Sequence, residues 1–126
     1  MNSQSKIVAW LICAGEEKKL LTELNAQHFI CLECADRSGL DTMITKHQHD
    51  IGMILLDESV TGDKIPELCR ELKSNSLLHS LLLVLANNGS RLNEVDVLDS
   101  GADMFIQKPL KPTLLAKRIG SVLARR

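Results

Sequence analysis

Residues 53–62 read MILLDESVTG. Four apolar residues, Met53 to Leu56, run straight into Asp57, and the chain then breaks into a polar turn containing Gly62. A short, unbroken apolar run closed by turn residues is the pattern of a strand covered on both faces, as in a parallel sheet. Asp57 is the last residue of that strand. A carboxylate there costs free energy unless something pairs with it.

The same alternation extends in both directions. Residues 7–12 form a continuous apolar run, and 16–26 an amphipathic helix carrying Leu20, Leu21 and Leu24. Residues 29–34 read as a second strand, and 38–47 as a weaker helix with Leu40, Met43 and Ile44 on one face. After the central strand comes a helix over 65–73, with Pro66 tolerable in its first turn. Residues 81–85 give a fourth strand. Ser90 is placed to cap a helix bearing Leu92, Val95 and Leu98, which Gly101 ends. Residues 104–106 form a short fifth strand, and 112–124 a last helix with Leu114, Leu115, Ile119, Val122 and Leu123.

Five strands alternating with five helices predict an α/β fold: one doubly wound (βα)5 domain of the flavodoxin type. Right-handed crossovers leave the five-stranded parallel order 2-1-3-4-5 as the leading topology. At 126 residues the chain is one domain's worth of sequence. Residues 1–5 read as a tail and 125–126 as the start of a linker or simply the chain's end.

Composition excludes several roles. Hydrophobic residues make up 44% and charged ones 25%, with a net charge of −1, so no overall field recruits nucleic acid or an anionic membrane. No apolar run approaches the ~20 residues that span a bilayer. The expectation is a cytoplasmic protein. Four scattered cysteines (Cys13, Cys31, Cys34, Cys69) fit a reducing compartment. Cys31-Leu-Glu-Cys34 is formally CxxC, but on a strand residues three apart face opposite sides, which argues against a redox or zinc site. His47 and His49 read as a polar helix end and loop rather than metal ligands.

In an open α/β sheet, ligands bind outside the carboxyl ends of the strands where strand order reverses, here between strands one and three. Asp57 stands at that point. Lys108, followed by Pro109, closes the fifth strand on the same rim. One anionic and one cationic strand end make an ion pair, either chemical or purely structural.

These residues carry a resemblance spanning essentially the whole chain. ILLDESVTG and SGADMFIQKPL, with the spacing from Ala86 to Lys108 and the second strand HFICLECAD, resemble the receiver domains of two-component response regulators. The resemblance implies that Asp57 is a phosphoacceptor, charged by a histidine kinase or phosphotransfer protein. Lys108 pairs first with the carboxylate and then with the phosphoryl oxygens, across a cis Lys108-Pro109 peptide. Such a domain is not an enzyme beyond its own phosphorylation. The face made by the fourth helix, fifth strand and fifth helix meets an output domain or protein partner, and is a candidate homodimer surface.

Three positions depart from that pattern. The acidic pair that normally holds Mg²⁺ after strand one falls on Leu11 and Ile12, neither of which offers an oxygen. Asp57 and the Ser59 backbone carbonyl match the family's remaining ligands, so the Mg²⁺ site is expected to be weak or absent. Glu58 is a substitute ligand by position; Glu16 and Glu17 read as first-turn helix residues. The hydroxyl that reads the phosphoryl group aligns with Ala86, and the switch aromatic with Phe105. Losing a hydrogen bond to a charged group forfeits roughly 1.5–3 kcal/mol. The alternative is therefore a phosphorylation-independent pseudo-receiver acting as an interaction or dimerisation module. A flavin carrier or small-molecule enzyme on the same kind of sheet is the third class. No Gly- or Ser/Thr-rich phosphate loop follows strand one, where Cys13-Ala-Gly-Glu16 stands, and this argues against it.

Overall fold

A computed structural model describes residues 7–11 as backbone, and residues 18–47, 49–76 and 78–125 in full. The elements in order are β1 Ile7–Leu11, α1 Lys18–Ala26, β2 Ile30–Cys34, α2 Arg37–His47, β3 Ile51–Asp57, α3 Glu58–Thr61 and a 3-10 turn Gly62–Lys64. Then follow α4 Ile65–Lys73, β4 Leu81–Ala86, α5 Glu94–Asp99, β5 Met104–Gln107 and α6 Pro112–Ala124. The five strands form one sheet in the order β2-β1-β3-β4-β5, parallel throughout. This is the α/β architecture that the alternation predicts.

The period of two along β3 and β4 sorts their side chains into two cores. Ile54, Leu56, Leu82 and Val84 face α2, α4 and α5, packing with Leu40, Ile44, Leu68, Leu72 and Val97. Met53, Leu55, Leu83 and Leu85 face α1 and α6, packing with Leu20, Leu24, Leu115 and Ile119. Every residue of β3 is buried, Asp57 included. Both layers are therefore required before Asp57 acquires its surroundings.

The Gly-Ala-Asp segment locks β5 to β4. Gly101 adopts φ +119°, which turns the chain out of α5. Ala102 is buried. Asp103 then accepts from Leu82 N–H at 2.8 Å and from Lys73 Nζ at 2.9 Å, while its own N–H donates to Leu82 O at 2.8 Å. One side chain thus ties β4, β5 and the end of α4.

Two details differ from the sequence-based expectation. Ser90 does not cap α5: its Oγ accepts from Leu92 N–H in a tight local turn, and the cap is Asn93, whose Oδ1 accepts from Asp96 N–H at 3.1 Å. Nor do Val95 and Leu98 form the helix's buried stripe. Both are exposed, Val97 alone of α5's apolar residues is buried, and Leu92 packs from the preceding loop. A six-residue helix has room for one anchor, and the i, i+3 ladder selected the wrong face. The polar turn expected after Asp57 closes as one full helical turn, α3. Glu16 and Glu17 lie outside the described residues.

Gly101 tests the account of the β4–β5 lock. A Cβ there would stand 2.6 Å from Lys73 Cγ, on a backbone that side-chain-bearing residues avoid. Gly101→Ala is expected to lower stability by about 1–3 kcal/mol, read as a drop of several degrees in Tm by circular dichroism with an unchanged spectrum at low temperature.

Candidate functional site at the sheet's carboxyl rim

β3 carries Asp57 to the rim, and α3 begins there. Asp57 is the N-cap of α3, its backbone still extended, and Oδ1 accepts from Ser59 N–H at 2.9 Å. A carboxylate at this position satisfies a helix N–H that has no partner within the helix. The strand end and the helix start therefore fix the side chain jointly.

Lys108 arrives from the end of β5, where its N–H donates to Ala86 O at 2.8 Å and its peptide to Pro109 is cis. Its Nζ donates to Asp57 Oδ1 at 2.9 Å and Oδ2 at 3.1 Å. The Asp57 side chain is 0% exposed and that of Lys108 13%. Removing one partner of such a pair strands the other, so its geometry is more informative than its net contribution to stability.

The ammonium also reaches Ser59 Oγ at 3.2 Å and Asn87 Oδ1 at 3.4 Å. Among the described residues, four acceptors thus share three N–H groups. Ser59 O–H donates to Asn87 Oδ1 at 2.8 Å, and Asn87 N–H donates to Glu58 Oε1 at 2.8 Å. Asn87 was not singled out from sequence, because an Asn before Asn-Gly-Ser reads as ordinary turn chemistry. Only its neighbour Ala86 drew attention.

The other predicted positions fall as follows. Ala86 is buried at the end of β4, a methyl with nothing to donate. Phe105 is half-buried and packs against the α2–α4–α5 core. Gly101 belongs to the β4–β5 lock rather than the rim. Leu11 pairs in register with Leu56, next to Asp57, but its side chain and all of Ile12 lie outside the described residues. Glu58 engages one carboxylate oxygen in the bond from Asn87.

A hard divalent cation wants several oxygen donors. Among the described residues no cluster of three or more His, Cys, Asp or Glu is built to hold a metal. Asp57 presents both oxygens already bonded. The described donors do not make a cage for Mg²⁺, and no chemical step is derived through one.

The remaining candidates are structural. Cys31 packs toward the α1–α6 face and Cys34 toward the opposite one. Burial pushes the Cys31 and Cys69 thiols up to about 11, with Glu33 adding to the effect at Cys31. His47 ends α2 and His49 sits in the turn beyond. No described helix is long and apolar enough to cross a membrane.

An acid and an amine meeting at the switch point of a 2-1-3-4-5 sheet match the arrangement implied by the resemblance to one class, the receiver domains of two-component response regulators. The comparisons agree with that class. No family model matches the chain. The chain is 33% identical over 96 residues to the phosphate regulon transcriptional regulatory protein PhoB of Pseudomonas aeruginosa, covering 75% of this chain and 41% of PhoB. It is 32% identical over 91 residues to the transcriptional regulatory protein AfsQ1 of Streptomyces coelicolor, covering 70% and 38%. It superposes on a crystal structure of a response regulator from Thermotoga maritima with a TM-score of 0.79 at 14% identity, covering 95% of this chain and 98% of that one. The chain is a receiver domain by fold, and spans about two-fifths of the length of these curated relatives.

Two outcomes check the site. Lys108→Met leaves a fully buried carboxylate without its counter-charge, and is expected to cost about 3 kcal/mol or more by urea denaturation at neutral pH. Asp57→Asn is expected to cost less, since the Lys108 stem can carry its ammonium to water. The thiols set a pH dependence of stability. A raised folded pKa means stability is intact below the unfolded thiol value and falls as pH rises through about 11. Cys31→Ala with Cys69→Ala is expected to flatten that alkaline loss in a denaturation series.

Proposed function

We propose that this domain is a phosphorelay receiver in which Asp57 is the phosphoacceptor and a histidine kinase or phosphotransfer protein is the donor. The observation that carries the reading is the two-point contact of Lys108 Nζ with a fully buried Asp57 at the sheet's switch point. Oδ1 holds both Ser59 N–H and the ammonium, whereas Oδ2 holds the ammonium alone, so Oδ2 is the freer nucleophile. It attacks phosphorus, the new O–P bond forms, and the donor's P–N bond breaks with the pair retained by the imidazole. Lys108 then follows the charge onto the phosphoryl oxygens, which is electrostatic catalysis by a pre-placed cation.

Receivers bind Mg²⁺ for this step. In this domain the affinity is weak, with Asp57 and the Ser59 carbonyl as ligands, because Leu11 and Ile12 stand where acids are usual. Ala86 and Phe105 occupy the switch positions with no hydroxyl between them.

The output surface is the α5–β5–α6 face. Val95, Leu98 and Leu114 are its exposed large apolar residues. α5 carries Glu94, Asp96 and Asp99, while α6 carries Lys117 and Arg118 with Lys111 just before it. Opposite charge on two helices of one face suits a two-fold homodimer or a docked output domain. The transcriptional relatives, more than twice as long as the matched region, support an output domain joined to this one. Direct contact with nucleic acid or membrane is not part of this reading.

A second reading has its own observation. Asp57 is 0% exposed and both of its carboxylate oxygens are already bonded, which suits a static bridge in a phosphorylation-independent pseudo-receiver. One experiment separates the two. Incubation with acetyl phosphate across a Mg²⁺ titration is expected to add one phosphoryl mass to the intact protein, abolished in Asp57→Asn, with yield still rising above millimolar Mg²⁺. No added mass at any Mg²⁺ concentration establishes the pseudo-receiver instead. Saturation below millimolar contradicts the weak-metal reading.

A further inference from the structure

Asn87 is tied to four residues of the rim. Its N–H donates to Glu58 Oε1 at 2.8 Å, its carbonyl accepts from Gln107 Nε2 at 3.4 Å, and its Oδ1 accepts from Ser59 O–H and Lys108 Nζ. The orientation of the amide follows from chemistry. An ammonium has no acceptor, so the oxygen must face it, and the NH₂ group then points away from Lys108. That NH₂ donates to nothing among the described residues. The residue before it, Ala86, offers only a methyl.

We infer that Asn87 is the residue that binds and reads a phosphoryl oxyanion on Asp57, in place of a hydroxyl at position 86. This rests on the acceptor reading proposed above. An oxyanion arriving at Asp57 draws the Lys108 ammonium toward itself, and the longest of its four contacts, the one to Asn87, is released first. Ser59 O–H and the Asn87 amide, both in contact with that ammonium, are then neutral donors able to turn toward the new oxygens. A donor amide suits an anion better than a carboxylate or methyl of similar size. The Asn87 backbone is bonded to Glu58 of α3 and Gln107 of β5, and its carbonyl also accepts from Ser90 N–H at 3.0 Å, so it stands at the start of the 88–93 segment that leads into α5.

Beryllium fluoride with excess Mg²⁺ is the probe, followed by amide NMR shifts at Asp57 and along residues 88–99. The unmodified domain is expected to saturate, with shifts reaching α5. Asn87→Ala is expected to weaken half-saturation by about ten-fold, the scale of one hydrogen bond to a charged group. Asn87→Asp keeps the acceptor for Ser59 and Lys108, so its Tm should stay close to that of the parent. It loses the donor and adds a like charge, so its fluoride affinity should fall further than that of Asn87→Ala. A purely structural Asn87 would give the reverse order. Ala86→Ser in the Asn87→Ala background is expected to recover much of the affinity. Saturation of Asn87→Ala or Asn87→Asp at the parental concentration overturns the role of Asn87 while leaving Asp57 as acceptor. No response from the unmodified domain overturns both.

Discussion

The pairing of the Asp57 carboxylate with the Lys108 ammonium is the constraint around which the rest of the domain is arranged. A carboxylate at the end of a strand buried on both faces is tolerable only with a cation in contact. That cation has to come from another strand end, because β3 offers none. The sheet order puts β4 between the two residues in the plane of the sheet, so the Lys108 stem must reach across the end of β4. The base of that stem is held at the end of β4, where the Lys108 N–H bonds to the Ala86 carbonyl.

Much of this was legible in the sequence because burial on both faces leaves little freedom. Runs such as Met53 to Leu56 and Leu82 to Leu85 allow no other placement than the centre of a covered sheet, and their positions fix the order of everything else. The ion pair followed from topology, since only strand ends meet at the rim. What stayed hidden was decided by contacts between loops. Asn93 rather than Ser90 caps α5 because the cap is whichever side chain finds a free N–H three residues on, and both positions offer one. Asn87 looked like turn chemistry, and its role depends on Ser59 and Lys108, which lie 28 residues before it and 21 after. No local pattern encodes a contact at that range.

The misread face of α5 bears on how a signal leaves the site. α4 buries Ile65, Leu68, Cys69 and Leu72, whereas α5 buries Val97. At about 1.5–3 kcal/mol for each fully buried aliphatic side chain, α4 is anchored several times more firmly than α5. A single new interaction at the rim, on the order of 1.5–3 kcal/mol, is too small to move α4 but comparable with the whole apolar anchorage of α5. The segment joining the rim to α5 begins at Asn87 and contains Gly89 in a left-handed turn at φ +77°, followed by the local Ser90 turn. Its one large apolar side chain, Leu92, is only half-buried against the core. A change at Asp57 thus has one lightly held element within reach, and that element carries Val95 and Leu98 on the outside. Under the proposed acceptor role, the two exposed residues that break the expected helical stripe sit on the element that energies of this size suffice to move, and a better-buried α5 would not respond to them.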